Sequence, residues 1–209
     1  MKEQQDYIQD LAEIRSMMER SSKFLSLSGL SGVLAGMYAC AGAYIAYFYF
    51  NFRPDGFEYA INRTGDTVAG LPPVLGLAIL VLILSVGTAL VLSSGKAKQK
   101  GENIWNIASR KMLASVSVPL LTGGVFVLLL LASGYSGLAA PATLIFYGLA
   151  LTATSVFTFE DVKYLGWIQI VLGLAAIVFI SYSILLWAIG FGIFHIGYGL
   201  FIHLKYERS

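Results

Sequence analysis

Six long stretches of this chain contain no Asp, Glu, Lys or Arg: Phe24–Phe50, Leu71–Ser93, Met112–Ala132, Leu138–Phe157, Tyr164–Ile180 and Ile184–Leu204. Each approaches or exceeds the ~20 apolar residues that carry a helix across a bilayer, the fifth being the shortest. In hydrocarbon, backbone N–H and C=O groups must pair within their own segment, so each stretch is expected as a helix. The rest of the composition agrees: 57% of the 209 residues are hydrophobic and 12% charged, against about 25% charged in a soluble domain. The expected fold is all-α, a polytopic membrane protein with six transmembrane helices over residues 24–204. An amphipathic cytoplasmic helix over 1–23 is expected before them, and a cytoplasmic tail, 205–209, after them.

The bases give the orientation. Lys2, Arg15, Arg20 and Lys23 precede the first span, and Lys96, Lys98, Lys100, Arg110 and Lys111 lie near the second loop. Lys163, Lys205 and Arg208 fall on the same side, which leaves only Arg53 and Arg63 opposite. Loops rich in Lys and Arg stay in the cytoplasm, so both termini are expected there.

What the spans lack excludes much. Ion-coupled pumps use intramembrane acids or bases, and here only histidine titrates at that depth. The lone Cys40 makes neither an intrachain disulfide nor a Cys-rich metal site, and no cofactor is expected. A net charge of +2 is too small to point to nucleic acid. The charged N-terminus is not a secretory signal peptide. Comparing spans one to three with four to six reveals no convincing repeat, which weakens a transporter reading.

Several features invite a functional reading beside a structural one. Tyr7, Leu11, Ile14, Met18 and Leu25 form a heptad seam. It suits a helix on the cytoplasmic leaflet or a docking and dimerisation helix. In span one, Ser28, Gly32, Gly36 and Cys40 recur every four residues, beside a parallel row of Ser31, Ala35, Ala39 and Ala43. Small residues at this spacing let helices approach closely, within the chain or across a homodimer. Pro119 predicts a kink in span three, with Ser115 and Ser117 satisfying the loosened backbone. Thr158-x-x-Asp161 fits a capping box before span five, and is also a candidate acidic site. Gln169 is expected to hydrogen-bond a neighbouring helix, span six being the nearest in sequence. Asn62-Arg63-Thr64 matches a glycosylation acceptor.

Both histidines lie in span six. His195 and His203 share one face with Phe191 and Gly199, and ~12 Å of helix axis separates them. That is too far to share a metal ion, whose bonds to His nitrogen are about 2.0–2.1 Å. His203 sits near the cytoplasmic interface, within reach of water. His195 lies near the midplane and needs a partner: Gln169, a tyrosine or a carbonyl. A neutral, packed histidine is the bland reading; a proton relay or ligand site is the sharp one.

The stretches LIFYGLAL, FEDVKYLGWIQIVLGLAAI and LLWAIGFGIFHIGYGLFIHLKYE resemble a group of uncharacterised multi-pass membrane proteins from Bacteroidetes, as does RSMMERSSKFLSLSGLSGVLAGMYA near the N-terminus. The resemblance spans about half of the chain and brings no catalytic role with it. It implies a bacterial inner membrane and sets aside the glycosylation motif. With no nucleophile–base pair, phosphate loop or metal cluster recognisable, a non-enzymatic regulator or scaffold is expected. A small channel or uniporter for a neutral or lipophilic solute comes second, and an enzyme acting on lipids third. The expected partners are the lipid bilayer and, through span one or the N-terminal helix, a second copy.

Overall fold

The computed structural model describes residues 28–54, 71–99, 101 and 105–207. The amphipathic segment with its heptad seam and the Asn62-Arg63-Thr64 motif lie outside the described residues. Within them every element of secondary structure is a helix. Helix α1 runs Gly29–Tyr49 and ends in a π turn, Ile45–Tyr49. Helix α2 is Leu71–Gln99 and α3 is Ile107–Ala132. Helix α4, Ser136–Phe157, has a 3₁₀ turn at each end. Helix α5 is Val162–Val178. The last helical run, α6, covers Ile180–Glu207. It carries π turns at Ala188–Phe194 and His203–Glu207.

Among the described residues, α1, α2, α3, α4 and α6 are long and apolar enough to cross a membrane. Helix α5, with 17 residues, reaches only about 25 Å at ~1.5 Å per residue. That is short of a ~30 Å hydrocarbon core. Several expected boundaries move. Helix α2 runs past Ser93 to Gln99, and α3 starts at Ile107 rather than Met112. A cap explains the second shift: Asn106 Oδ1 accepts from Ser109 N at 2.8 Å, and Ser109 Oγ accepts from Asn106 N at 2.9 Å. Each partner satisfies an N–H that the helix start would orphan.

In space α2 packs on α1, α1 on α6, α6 on α5 and α4, and α4 on α5 and α3. Two glycine seams set this order. A Cβ added to Gly36 would lie 2.6 Å from Gly192 O, and one on Gly199 would lie 2.5 Å from Gly29 O. On Gly32 it would lie 3.3 Å from Gly199 Cα. The Ser28/Gly32/Gly36/Cys40 row is therefore spent inside the chain, with α1 and α6 backbone to backbone. The second seam joins α4 to α5: a Cβ on Gly148 would lie 2.6 Å from Gly166 O, and one on Gly173 would lie 3.0 Å from Pro141 O. Close approach of this kind takes the place of hydrophobic attraction, which lipid does not supply between helices.

Helix α3 passes through Pro119 without a break. Ser117 Oγ bonds Leu113 O at 2.6 Å, one turn back, whereas Ser115 Oγ reaches across to Ala153 O of α4 at 2.8 Å. The start of α5 falls later than the Thr158-x-x-Asp161 box places it. Helix α5 begins at Val162, and Asp161 makes no side-chain cap. Its carboxylate is drawn instead to the end of α6.

Candidate functional site

The deepest polar cluster lies where α4, α5 and α6 meet. Gln169 is fully buried, and His195 is 7% exposed. His195 Nδ1 lies 3.0 Å from Gly190 O. A carbonyl only accepts, so Nδ1 carries the proton of a neutral ring. Nε2 then accepts from the Tyr147 hydroxyl at 2.9 Å. Gln169 Nε2 donates to the same Gly190 O at 2.8 Å. The 3.3 Å between Gln169 Nε2 and His195 Nδ1 is two donors converging on one carbonyl, not a third bond.

Local structure makes this possible. A π turn widens the helix and exposes carbonyls to other donors, and Gly190 lies in the Ala188–Phe194 π turn. Gly190 also clears space. A Cβ there would lie 2.5 Å from Gln169 Oε1 and 2.6 Å from Leu144 Cδ2. That Oε1 is buried without a hydrogen-bond partner.

An aromatic layer encloses the ring. Phe191 stacks on His195 with centroids 5.7 Å apart, and meets Tyr147 at 4.9 Å and Trp187 at 4.8 Å with tilted rings. Trp187 Nε1 donates to Thr143 Oγ1 at 3.1 Å. Helix α4 thus presents Thr143 and Tyr147, four residues apart, to Trp187 and His195 of α6.

The second cluster lies at the ends of α1, α2 and α6. Glu207 Oε1 accepts from Gly29 N at 2.7 Å and from Lys96 Nζ at 2.9 Å. Its Oε2 meets His203 Nδ1 at 2.6 Å. One carboxylate therefore caps the start of α1, where the helix dipole favours negative charge, and pins the end of α2. Beside it, Asp161 Oδ2 accepts from Lys205 Nζ at 2.8 Å and from Tyr206 OH at 3.0 Å. That ammonium holds the Asp161 carboxyl below its ordinary value, against a smaller opposing push from partial burial.

The structure brings Gln169 and His195 together and separates His203 from both, giving it Glu207 instead. Cys40 stands against Gly192 in the α1–α6 seam. Sequence reasoning missed Tyr147, Gly190 and Glu207. Two signals were present: Thr143 and Tyr147 as an i, i+4 polar pair in an apolar span, and Glu207 four residues after His203. Nothing in the sequence marks the π turn that frees Gly190 O.

Among the described residues, no group of three or more His, Cys, Asp or Glu side chains is placed to hold a metal ion. No family model, curated protein or solved structure matches the chain.

Proposed function

We propose that this is a six-span protein of a bacterial inner membrane, with both termini in the cytoplasm. In this reading it is a non-enzymatic regulator or scaffold that works through its N-terminal segment. The partition of twelve bases to one side and two to the other supports the orientation. Helix α5, flanked by its loops, completes the sixth crossing.

The carrying observation is the Glu207 clasp. The N-terminal segment enters the bundle at Gly29, and the carboxylate that caps Gly29 also holds Lys96 and His203. A partner acting on the tail therefore works on the joint of α1, α2 and α6. The state of His195 argues against a proton relay. Its Nδ1 proton is committed to a backbone carbonyl, which cannot pass a proton on, so the ring has one exchangeable neighbour, Tyr147.

Three measurements test the reading. A cysteine at Gln99 should resist an impermeant thiol reagent in intact cells, while one at Gly56 should react. Labelling at Gln99 from outside overturns the orientation. Trypsin should cut the tail at Arg20 and Lys23 several-fold faster in Glu207→Gln than in wild type; equal rates would uncouple tail from clasp. Proteoliposomes should carry no proton flux that depends on His195. A flux lost in a folded His195→Leu protein would replace this reading with a transporter.

A further inference from the structure

The bases of the cytoplasmic end fall into two groups. Lys96 is held by Glu207 and Lys205 by Asp161, and Lys163 lies 5.1 Å over the Tyr164 ring. Lys98, Arg110 and Lys111 are exposed, and none is in an ion pair with a described residue. All three flank the α2–α3 connection, where residues 96–111 hold five bases and a single acid, Glu102. The first turn of α3 contains no acid either. Among the described residues, Lys98, Arg110 and Lys111 therefore have no acidic partner, whereas Lys96 and Lys205 each have one.

The same corner carries apolar surface. Trp105 is 62% exposed and Ile107 is 73% exposed. Trp105 lies between α2 and α3 and Ile107 opens α3, and the middles of both helices are apolar and uncovered: none of the most apolar window of α2, and 6% of that of α3, is buried inside the protein. A bilayer around those middles brings Lys98, Trp105, Ile107 and Arg110 to headgroup level. Trp favours that depth, and juxtamembrane bases attract anionic lipid there.

We propose that the α2–α3 corner is a binding surface for anionic phospholipid, with Lys98, Arg110 and Lys111 meeting the phosphate and Trp105 and Ile107 entering the acyl boundary. The proposal rests on the embedding of α2 and α3 in a membrane. It does not rest on which side the corner faces, nor on the regulator reading.

The test titrates the full chain in detergent with phosphatidylglycerol, phosphatidylcholine or inorganic phosphate, and counts bound lipid by native mass spectrometry. Wild type should prefer phosphatidylglycerol. Each of Lys98→Gln, Arg110→Gln and Lys111→Gln should weaken that preference on the order of fivefold, and the triple variant roughly a hundredfold. Lys98→Arg and Lys163→Gln should leave it intact. The single variants carry the test should the triple variant fail to fold. Equal binding of the two lipids, or an undiminished preference in the variants, overturns the proposal. So does displacement of the lipid by millimolar phosphate, which would make the corner a site for a free anion.

Discussion

Replacing His195 with Leu in this bundle does more than remove a polar group. It takes away one of two donors to Gly190 O, which keeps Gln169 Nε2. It also takes away the acceptor of the Tyr147 hydroxyl, the one hydrogen-bond partner that hydroxyl has among the described residues. The first loss is minor because the carbonyl remains paired. The second strands a buried hydroxyl, at a cost of ~1–3 kcal/mol in a protein interior. Interhelical hydrogen bonds in a membrane average ~0.6 kcal/mol with a maximum near 1.7, because the unfolded chain also finds partners in lipid. The lower scale applies here, so His195→Leu should destabilise by about 0.6–1.7 kcal/mol. Tyr147→Phe leaves only an unfilled acceptor at Nε2 and should destabilise by about 1 kcal/mol. The double variant strands no hydroxyl. Its loss should fall short of the sum of the singles by about 1 kcal/mol, since removing both partners of a bond costs less than removing either and orphaning the other. Reversible unfolding in mixed micelles, followed by intrinsic tryptophan fluorescence, measures all four proteins. Additivity within ~0.3–0.5 kcal/mol marks independent sites, and that result would refute the bond and the neutral tautomer inferred from it.

Glycine substitutions should split by position. Gly199→Ala puts a methyl against Gly29 O and Val33 N, and Gly148→Ala puts one against Gly166 O, so each should destabilise by about 2 kcal/mol or more in the same unfolding assay. Gly87→Ala in α2 meets nothing within 4 Å and should be neutral or stabilising by up to about 1 kcal/mol, from helix propensity alone. Asp161 should leave a trace on the acid side of the pH profile. Its carboxyl is lowered chiefly by the Lys205 hydrogen bond, so the unfolded chain takes up the proton first. The stabilisation is complete above the ordinary carboxylate value of 3.8 and fades as pH falls through the lowered folded value. Asp161→Asn should flatten that limb in melting temperatures taken between pH 3 and 6, with little change at pH 7 because the pair is exposed.

The sequence made the helices legible because hydrocarbon permits little else. Charge-free runs near twenty residues long leave the backbone no other way to pair, and α1 to α4 and α6 follow from that alone. The boundaries were less legible where a side-chain cap or an ion pair set them. Asn106 starts α3 a turn and a half before the apolar run begins, and Lys96 belongs to the bundle although the apolar run ends at Ser93. The small-residue row of span one announced close packing but not its partner, because a four-residue repeat has the same form whether it meets α6 or another copy. The matching glycines on α6, Gly192 and Gly199, were visible, but their register against Gly36 and Gly29 was not.

The site followed the same division. Gln169 and His195 stand out as polar residues in an apolar field, which is why they were singled out. Their true common partner is a backbone atom, Gly190 O, and a backbone atom has no identity in a sequence. It becomes an acceptor for two side chains only because the helix is locally wound as a π turn beside a residue with no Cβ. The wider consequence concerns mechanism. A histidine with a hydroxyl, water or carboxylate on each ring nitrogen is a relay, whereas one whose proton ends on a carbonyl is a strut. The same residue in the same span yields either, and what decides between them here is one extra residue in the turn that carries Gly190. Helix α6 thus spends its π turn on fixing His195 between α4 and α5. At the ends of α1, α2 and α6 the polar contacts are ionic instead, with Glu207 joining Gly29, Lys96 and His203.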